Sequence, residues 1–176
     1  MNIFVLDYNP KTCAQYHCDK HVVKMILESV QMICTTHNLY GLDTPYKTTH
    51  ANHPCSLWVR KSKHNYMWLC ELIEELHEEW KYRFNHNCSI EDYDSLTTTD
   101  EHKSYVVFKN LDHKKIINML PDIDLQPFAQ AIPEELISTE EDAVGPYRAY
   151  YATYKKDLLK YTKREVPEWI MKLQLS

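Results

Sequence analysis

Glycine is almost missing from this chain: Gly41 and Gly145 are the only two in 176 residues. Tight hairpins and loops that wrap phosphates rely on glycine for left-handed backbone and close approach. Its scarcity argues against a β-rich domain, and no Rossmann fingerprint, P-loop, nucleophile elbow or EF-hand loop can be written onto the sequence. Long apolar runs are missing too. No stretch approaches a membrane span, and the start lacks the basic-then-apolar layout of a signal peptide. The expected setting is cytoplasmic, the host cytoplasm if the protein is viral, with no membrane partner. Cysteines at 13, 18, 34, 55, 70 and 88 form no C-x-x-C pair, so reduced, packed thiols are expected. No internal repeat is visible, and nothing calls for a cofactor or an obligate protein partner.

What is present is apolar residues at 44%, enough for a core without disulfide staples, and a set of helix signals separated by prolines. The expected fold is all-α: a single helical domain, 1–176, with two long N-terminal helices, a long C-terminal helix and irregular proline-rich connections. Residues 2–6 form a short apolar segment, extended or buried. Asn9 reads as an N-cap with Pro10 at the first helical position, predicting a helix from Pro10 to about His37 that leaves through Gly41 and Pro45. Asn52-His53-Pro54 is a second start signal, for a helix to about Phe84. A shorter helix is expected from Ser104 to Met119, and a last long one from near Glu140 to Lys163. Pro167 then opens a short terminal turn with Trp169. Residues 86–142 look like an acidic insertion.

The most informative pattern lies on the first helix. His17, His21, Lys24, Glu28 and Gln31 follow one another at steps of four, three, four and three, so on a helix of 3.6 residues per turn they share a face. Val22, Met25, Ile26, Val30 and Ile33 form the complementary, core-facing set. Two imidazoles, an amine, a carboxylate and an amide in one row are the equipment of an acid–base site, and the row stands within reach of the chain's own α-amine at Met1. A solvated helix face with two incidental histidines is the bland alternative. Cys13, His17 and His21 at steps of four also leave a shared metal open, although no second ligand pair at zinc-like spacing accompanies them.

The net charge of −5 hides a segregation. Residues 1–70 carry seven Lys/Arg against four Asp/Glu, residues 71–142 six against eighteen, and residues 143–176 seven against three. The acidic middle, with Glu71, Glu74, Glu75, Glu78 and Glu79, reads as a solvated helix surface, which leaves the basic ends free to meet an anionic partner. In the last part tyrosines alternate with cations from Tyr147 to Arg164, a composition suited to nucleic acid because cations hold phosphates and rings stack on bases. Tyr147, Tyr151 and Tyr154 share a stripe with Leu158 and are expected in the core. Arg148, Tyr150 and Lys155, on the opposite face, are expected to make contact.

The start Met1-Asn2-Ile3-Phe4-Val5-Leu6, leading into a helix with His21 and Glu28 seven residues apart, resembles the phage-type pyrimidine-dimer DNA glycosylases, the endonuclease V family. Asn52-His53-Pro54 is similar to an Asn-His-Pro of bacterial relatives, and Arg83-Phe84 to the family's Arg-Gly-Phe exit. The resemblance covers roughly residues 1–85 and, more loosely, 143–170. It implies an all-helical fold and a glycosylase/AP lyase in which the N-terminal α-amine attacks C1′ of a damaged nucleotide. Met1, Glu28 and His21 are then the catalytic candidates. His17, Lys24, Gln31, His53, Arg60, Arg148, Tyr150, Lys155 and Lys156 are the candidates for substrate binding, with no metal and with DNA or a nucleotide as the partner. The departures are specific. Leu27 and Gln31 stand where the family has arginines, and the large Asn2 disfavours removal of Met1. The chain is acidic overall, and residues 86–142 have no counterpart.

The implied chemistry is sound on elementary grounds. An α-amine ordinarily titrates near 7.7–8.0, so it is more often neutral at pH 7 than a lysine amine. Attack at C1′ passes through an oxocarbenium-like species that a nearby carboxylate stabilises and then serves by moving protons. Two alternatives are a non-catalytic nucleic-acid or nucleotide binder and a metal-dependent hydrolase using Cys13, His17, His21, His50 or His53.

Overall fold

The computed structural model describes residues 1–85, 101–139 and 142–175. Among them are eight α-helices and no strand: α1 Pro10–Tyr16, α2 Asp19–Leu39, α3 Pro54–Lys61, α4 Lys63–Arg83, α5 Lys103–Lys109, α6 His113–Met119, α7 Val144–Tyr154 and α8 Glu168–Gln174. The all-α class is as expected. Helix α4 is the spine, packing on α1, α2 and α3, while α2 also meets α5. Ile3, Phe4, Val5 and Leu6 run through the core as an irregular segment, together with Ile26, Ile33, Leu69 and Tyr151. No helix among the described residues is long and apolar enough to cross a membrane. Their five cysteines are free thiols, and Cys88 lies outside the described residues.

The start and stop signals act as their chemistry dictates. Asn9 accepts from the Thr12 amide at 3.0 Å, and Pro10 opens α1. The His53 ring accepts from the Cys55 amide at 3.2 Å and caps α3. After α2, Gly41 takes φ +76° just past the C-cap, a conformation that costs glycine little.

Both long N-terminal helices are nevertheless interrupted, and the causes are tertiary. The first breaks at His17 and Cys18, which are extended. There the buried Arg83 guanidinium donates to the carbonyls of Gln15 (2.8 Å) and His17 (2.7 Å), taking over bonds that a continuous helix would make internally. The freed amides of Cys18 and Asp19 go to the Tyr151 hydroxyl and to the Lys160 carbonyl. The second helix breaks at Ser62. Its hydroxyl caps α4 through the His64 amide at 3.0 Å and donates to the Ile123 carbonyl. Likewise 104–119 divides at Asp112, which caps α6 through the Lys115 amide at 3.0 Å.

The long C-terminal helix is shorter than expected: α7 has 11 residues and ends at Tyr154. Beyond it the chain is drawn onto the start of α2, where Asp19 accepts from the Thr162 amide and hydroxyl, and this diverts it from the helix path. Tyr147 and Tyr151 are fully buried as the stripe predicts, but Tyr154, at the frayed end, is exposed. Glu79 corrects the picture of a wholly solvated acidic face. It is buried between Arg83 and Arg164, with oxygens 2.9 and 2.6 Å from their nitrogens. Of the expected insertion, residues 86–100, 140 and 141 lie outside the described residues. Its remaining part sends Phe108, Ile116, Leu120 and Phe128 into the common core.

Two outcomes are expected. Arg83→Met should cost about 3–5 kcal/mol in urea denaturation, because it strands Asp19 and leaves carbonyls without donors. The second concerns four imidazoles whose pKa burial lowers, to about 4 at His17, His37 and His77 and to about 3 at His21. In the unfolded chain they titrate near 6.5. The unfolded state therefore binds more protons as pH drops from 6.5 towards 4, and stability is lost across that window. Each imidazole adds a slope of up to about 1.4 kcal/mol per pH unit. A urea midpoint that is the same at pH 7.5 and pH 5 would contradict this burial.

Candidate active site

The break at His17 re-phases the polar stripe. His17 no longer belongs to it: it is fully buried at the end of α1, its Nδ1 donating to the Cys13 carbonyl at 2.7 Å. His21, Lys24 and Glu28 remain together on α2 and line a cavity of about 240 Å³ with Met1, Tyr150 and Lys155. Gln31 is half-buried and is not among the lining residues.

The cavity centres on the Glu28 carboxylate. Oε2 lies 3.6 Å from the Met1 amine and accepts from the Asn2 amide at 2.9 Å. Oε1 lies 3.2 Å from Lys24 Nζ, an i,i+4 pair whose lysine is largely exposed. The carboxylate is mostly buried, so its contacts with the amine end are screened less than a surface pair would be.

The amine is held there by its neighbour. The Asn2 side chain donates to the Ala131 carbonyl at 2.9 Å and accepts from the Tyr147 hydroxyl at 2.8 Å. Tyr147 in turn accepts from the Ala131 amide. The Cys13 thiol donates to the Phe4 carbonyl, and Arg148 Nε donates to the Leu6 carbonyl at 2.8 Å. These polar groups of the buried segment find their partners on other parts of the chain, as buried backbone requires. Asn2 and Tyr147 were missed as site-builders by sequence reasoning. The one available signal was a single amide side chain at the head of an apolar run.

His21 is positioned by rings. It stacks on Phe4 with centroids 4.5 Å apart and planes 16° apart, and the Tyr150 ring lies 6.1 Å from Phe4 with its plane also within 16°. Its Nδ1 is 2.7 Å from the Tyr151 hydroxyl. That hydroxyl accepts from the Cys18 amide, and its contact with Nδ1 is much shorter than its 3.5 Å contact with Cys18 Sγ, so its proton goes to Nδ1, which leaves Nε2–H as the donor of a neutral imidazole. Burial first, and then the neighbouring His17, Lys155 and Lys24, lower the pKa of His21 to about 3, so the ring is neutral at pH 7. Lys155 lies 4.9 Å above the Tyr150 ring, completing a cationic wall opposite α2.

Other candidates go elsewhere. Arg148 pairs with Asp7 at 3.1 Å and stacks over Tyr16 and Trp169, so it anchors the N-terminal segment rather than facing outward. Arg60 donates to the carbonyls of Ala51 and Ser56 and holds the turn before α3. Lys156 is exposed. His53 is half-buried and close enough to the Met1 amine for that charge, after burial, to push its pKa down. Cys13, His17, His21, His50 and His53 are not gathered: among the described residues, no three His, Cys, Asp or Glu come together as a metal-holding set.

Comparison with known proteins gives one match. The family model of the pyrimidine dimer DNA glycosylases aligns with residues 1–92, which contain Met1, His21, Glu28 and Arg83. No curated protein and no solved structure matches. The aligned span runs over more than half of the chain and holds both ends of the amine–carboxylate pair, and the protein belongs to the pyrimidine dimer DNA glycosylase family, DNA-repair enzymes that act on DNA.

Proposed function

We propose that this DNA-repair glycosylase works through its Met1 α-amine, with Glu28 as the catalytic carboxylate, and that it also cleaves the strand as a lyase. The observation that carries the reading is the 3.6 Å approach of the amine to the Glu28 carboxylate in a cavity that opens to solvent. Glu28 accepts a proton from the ammonium, and the freed lone pair attacks C1′. The glycosidic bond breaks and its electron pair leaves with the base, which takes the proton that Glu28 had accepted and so restores the carboxylate. The carboxylate offsets the positive charge that builds on the sugar ring in between. Ring opening gives an imine between C1′ and the amine. Removal of a C2′ proton by the carboxylate then expels the 3′ phosphate. A non-catalytic binder would have no need to bury a carboxylate against its own N-terminus, a costly arrangement unless it is used.

The surrounding residues take roles that follow from their chemistry. His21 is a neutral donor that meets the departing base or a sugar oxygen. Tyr150, parallel to Phe4, offers a ring face for the extruded base, whose unstacking costs a few kcal/mol and is cheapest at a damaged site. Lys24 and Lys155 flank the cavity and meet phosphates. The base or lesion removed is a matter of the cavity's fit to it.

Borohydride should trap a covalent adduct with an abasic-site oligonucleotide, and peptide mapping should find it on Met1. Acetylating the α-amine should abolish it, whereas trapping that survives acetylation and is lost in Lys24→Ala would move the nucleophile to that side chain. Glu28→Gln should keep DNA affinity within a few-fold while removing turnover; equal loss of both would make Glu28 structural. Tyr147→Phe, which releases Asn2 and an Ala131 amide, should cost about 1–3 kcal/mol of stability and lower the trapping rate more than affinity. Lys155→Ala and Lys156→Ala should each flatten the salt dependence of DNA binding by about one unit if each neutralises one phosphate.

A further inference from the structure

The turn between α2 and α3 is held more firmly than a connection needs. Thr35 Oγ1, buried in α2, both donates to the Thr49 carbonyl and accepts from its amide, each at 3.1 Å. The Asn38 side chain donates to the Tyr46 carbonyl and accepts from the Thr44 amide. Arg60 takes the Ala51 carbonyl at 2.6 Å, and the His53 amide donates to the His50 carbonyl at 3.0 Å. Within this frame His50 has φ +47°, a left-handed conformation that glycine would adopt without a steric penalty. Strain retained on a non-glycine residue beside a reactive site points to a use for its side chain. The ring is exposed, with Nδ1 2.7 Å from the Thr49 hydroxyl.

The turn abuts the amine end of the cavity. The Met1 sulfur lies 3.5 Å from Ser56 Oγ on the first turn of α3, the helix that His53 caps. His53 Nδ1 is used by the Cys55 amide, which leaves Nε2 as the proton-bearing nitrogen of the neutral ring. After burial, the Met1 amine is the charge that most disfavours protonation of His53, and the Glu28 carboxylate favours it, so this corner lies within electrostatic reach of both. The same connection carries Lys47 and Asp43, both exposed.

We propose that the turn from Thr49 to His53 is a phosphate subsite, in which the imidazoles of His50 and His53 hold the DNA backbone phosphate next to the sugar presented to the Met1 amine. This inference rests on the amine reading for the position of the sugar, but its test reads binding alone. It gives the turn a positioning role: it fixes where C1′ stands relative to the amine.

The experiment measures the affinity of the full chain for a duplex carrying a tetrahydrofuran abasic analogue, which the amine cannot attack. The phosphates 5′ and 3′ of the analogue are replaced in turn by a neutral methylphosphonate. The variant is His50→Gly with His53→Asn, chosen because glycine relieves the strain at φ +47° and asparagine can still cap α3. Wild type should lose about tenfold in affinity at one of the two positions. The double variant should bind the unmodified duplex about tenfold more weakly and lose nothing further at that position, because the contact is already gone. Its thermal midpoint should be equal to or above that of wild type. Losses that multiply at both positions would overturn the subsite, as would a variant that binds like wild type, or a wild type that ignores both replacements or fails to bind the duplex. The amine reading is judged separately, by borohydride trapping on a true abasic site: trapping without coupling sinks only the subsite, and coupling without trapping sinks only the amine chemistry.

Discussion

A single guanidinium fixes the frame in which the rest of the molecule is assembled. Arg83, almost wholly buried, bonds to Glu79 on its own helix, to Asp19 at the start of α2, and to the last carbonyls of α1. A fully buried cation is tolerable only with this many partners. Those partners lie on three segments, so satisfying the charge dictates how the segments meet. It ends α1 two residues before α2 begins. It also sets Asp19 where its carboxylate collects Thr162 and its amide meets the Lys160 carbonyl, while Arg164 reaches the far side of Glu79.

The cavity inherits that order. Its floor is α2, its walls are α7 and the connection around Ala131, and its deepest corner is the buried N-terminal segment. The N-terminal segment, α2, the connection around Ala131 and α7 are separate stretches of the sequence. Among the described residues that line it, Glu28 is the one acid, and it faces the amine and two lysines. Site geometry of this kind is more exact when the groups ride on helices and on a well-bonded buried segment than when they ride on a free loop.

The legible part of the sequence was the part governed by local chemistry. Asn9–Pro10, His53–Pro54 and Gly41 mark helix ends because capping and left-handed backbone are decided within a few residues. The step pattern of His21, Lys24 and Glu28 survives because all three lie within one uninterrupted helix. What could not be read was set by partners far along the chain. Nothing between Pro10 and His37 breaks a helix by its own propensity; the break comes from Arg83, 66 residues beyond His17. The same holds for Arg148, whose place beside lysines and tyrosines suggests an exposed contact until the Leu6 carbonyl and Asp7 claim it. Glu79 differs from its exposed neighbours on α4 only because two arginines converge on it.

The burial of the chain's first residue has a practical corollary for anyone handling the protein. The Met1 side chain is only 3% exposed and its nitrogen lies 3.6 Å from the carboxylate. One added residue of extended chain spans about 3.3–3.6 Å, as long as that whole separation. An affinity tag at this end, or the one or two residues left after a protease removes it, moves the amine out of register with Glu28. The opposite terminus is the permissive place for a fusion, since Leu175 is 89% exposed and is not among the residues that line the cavity.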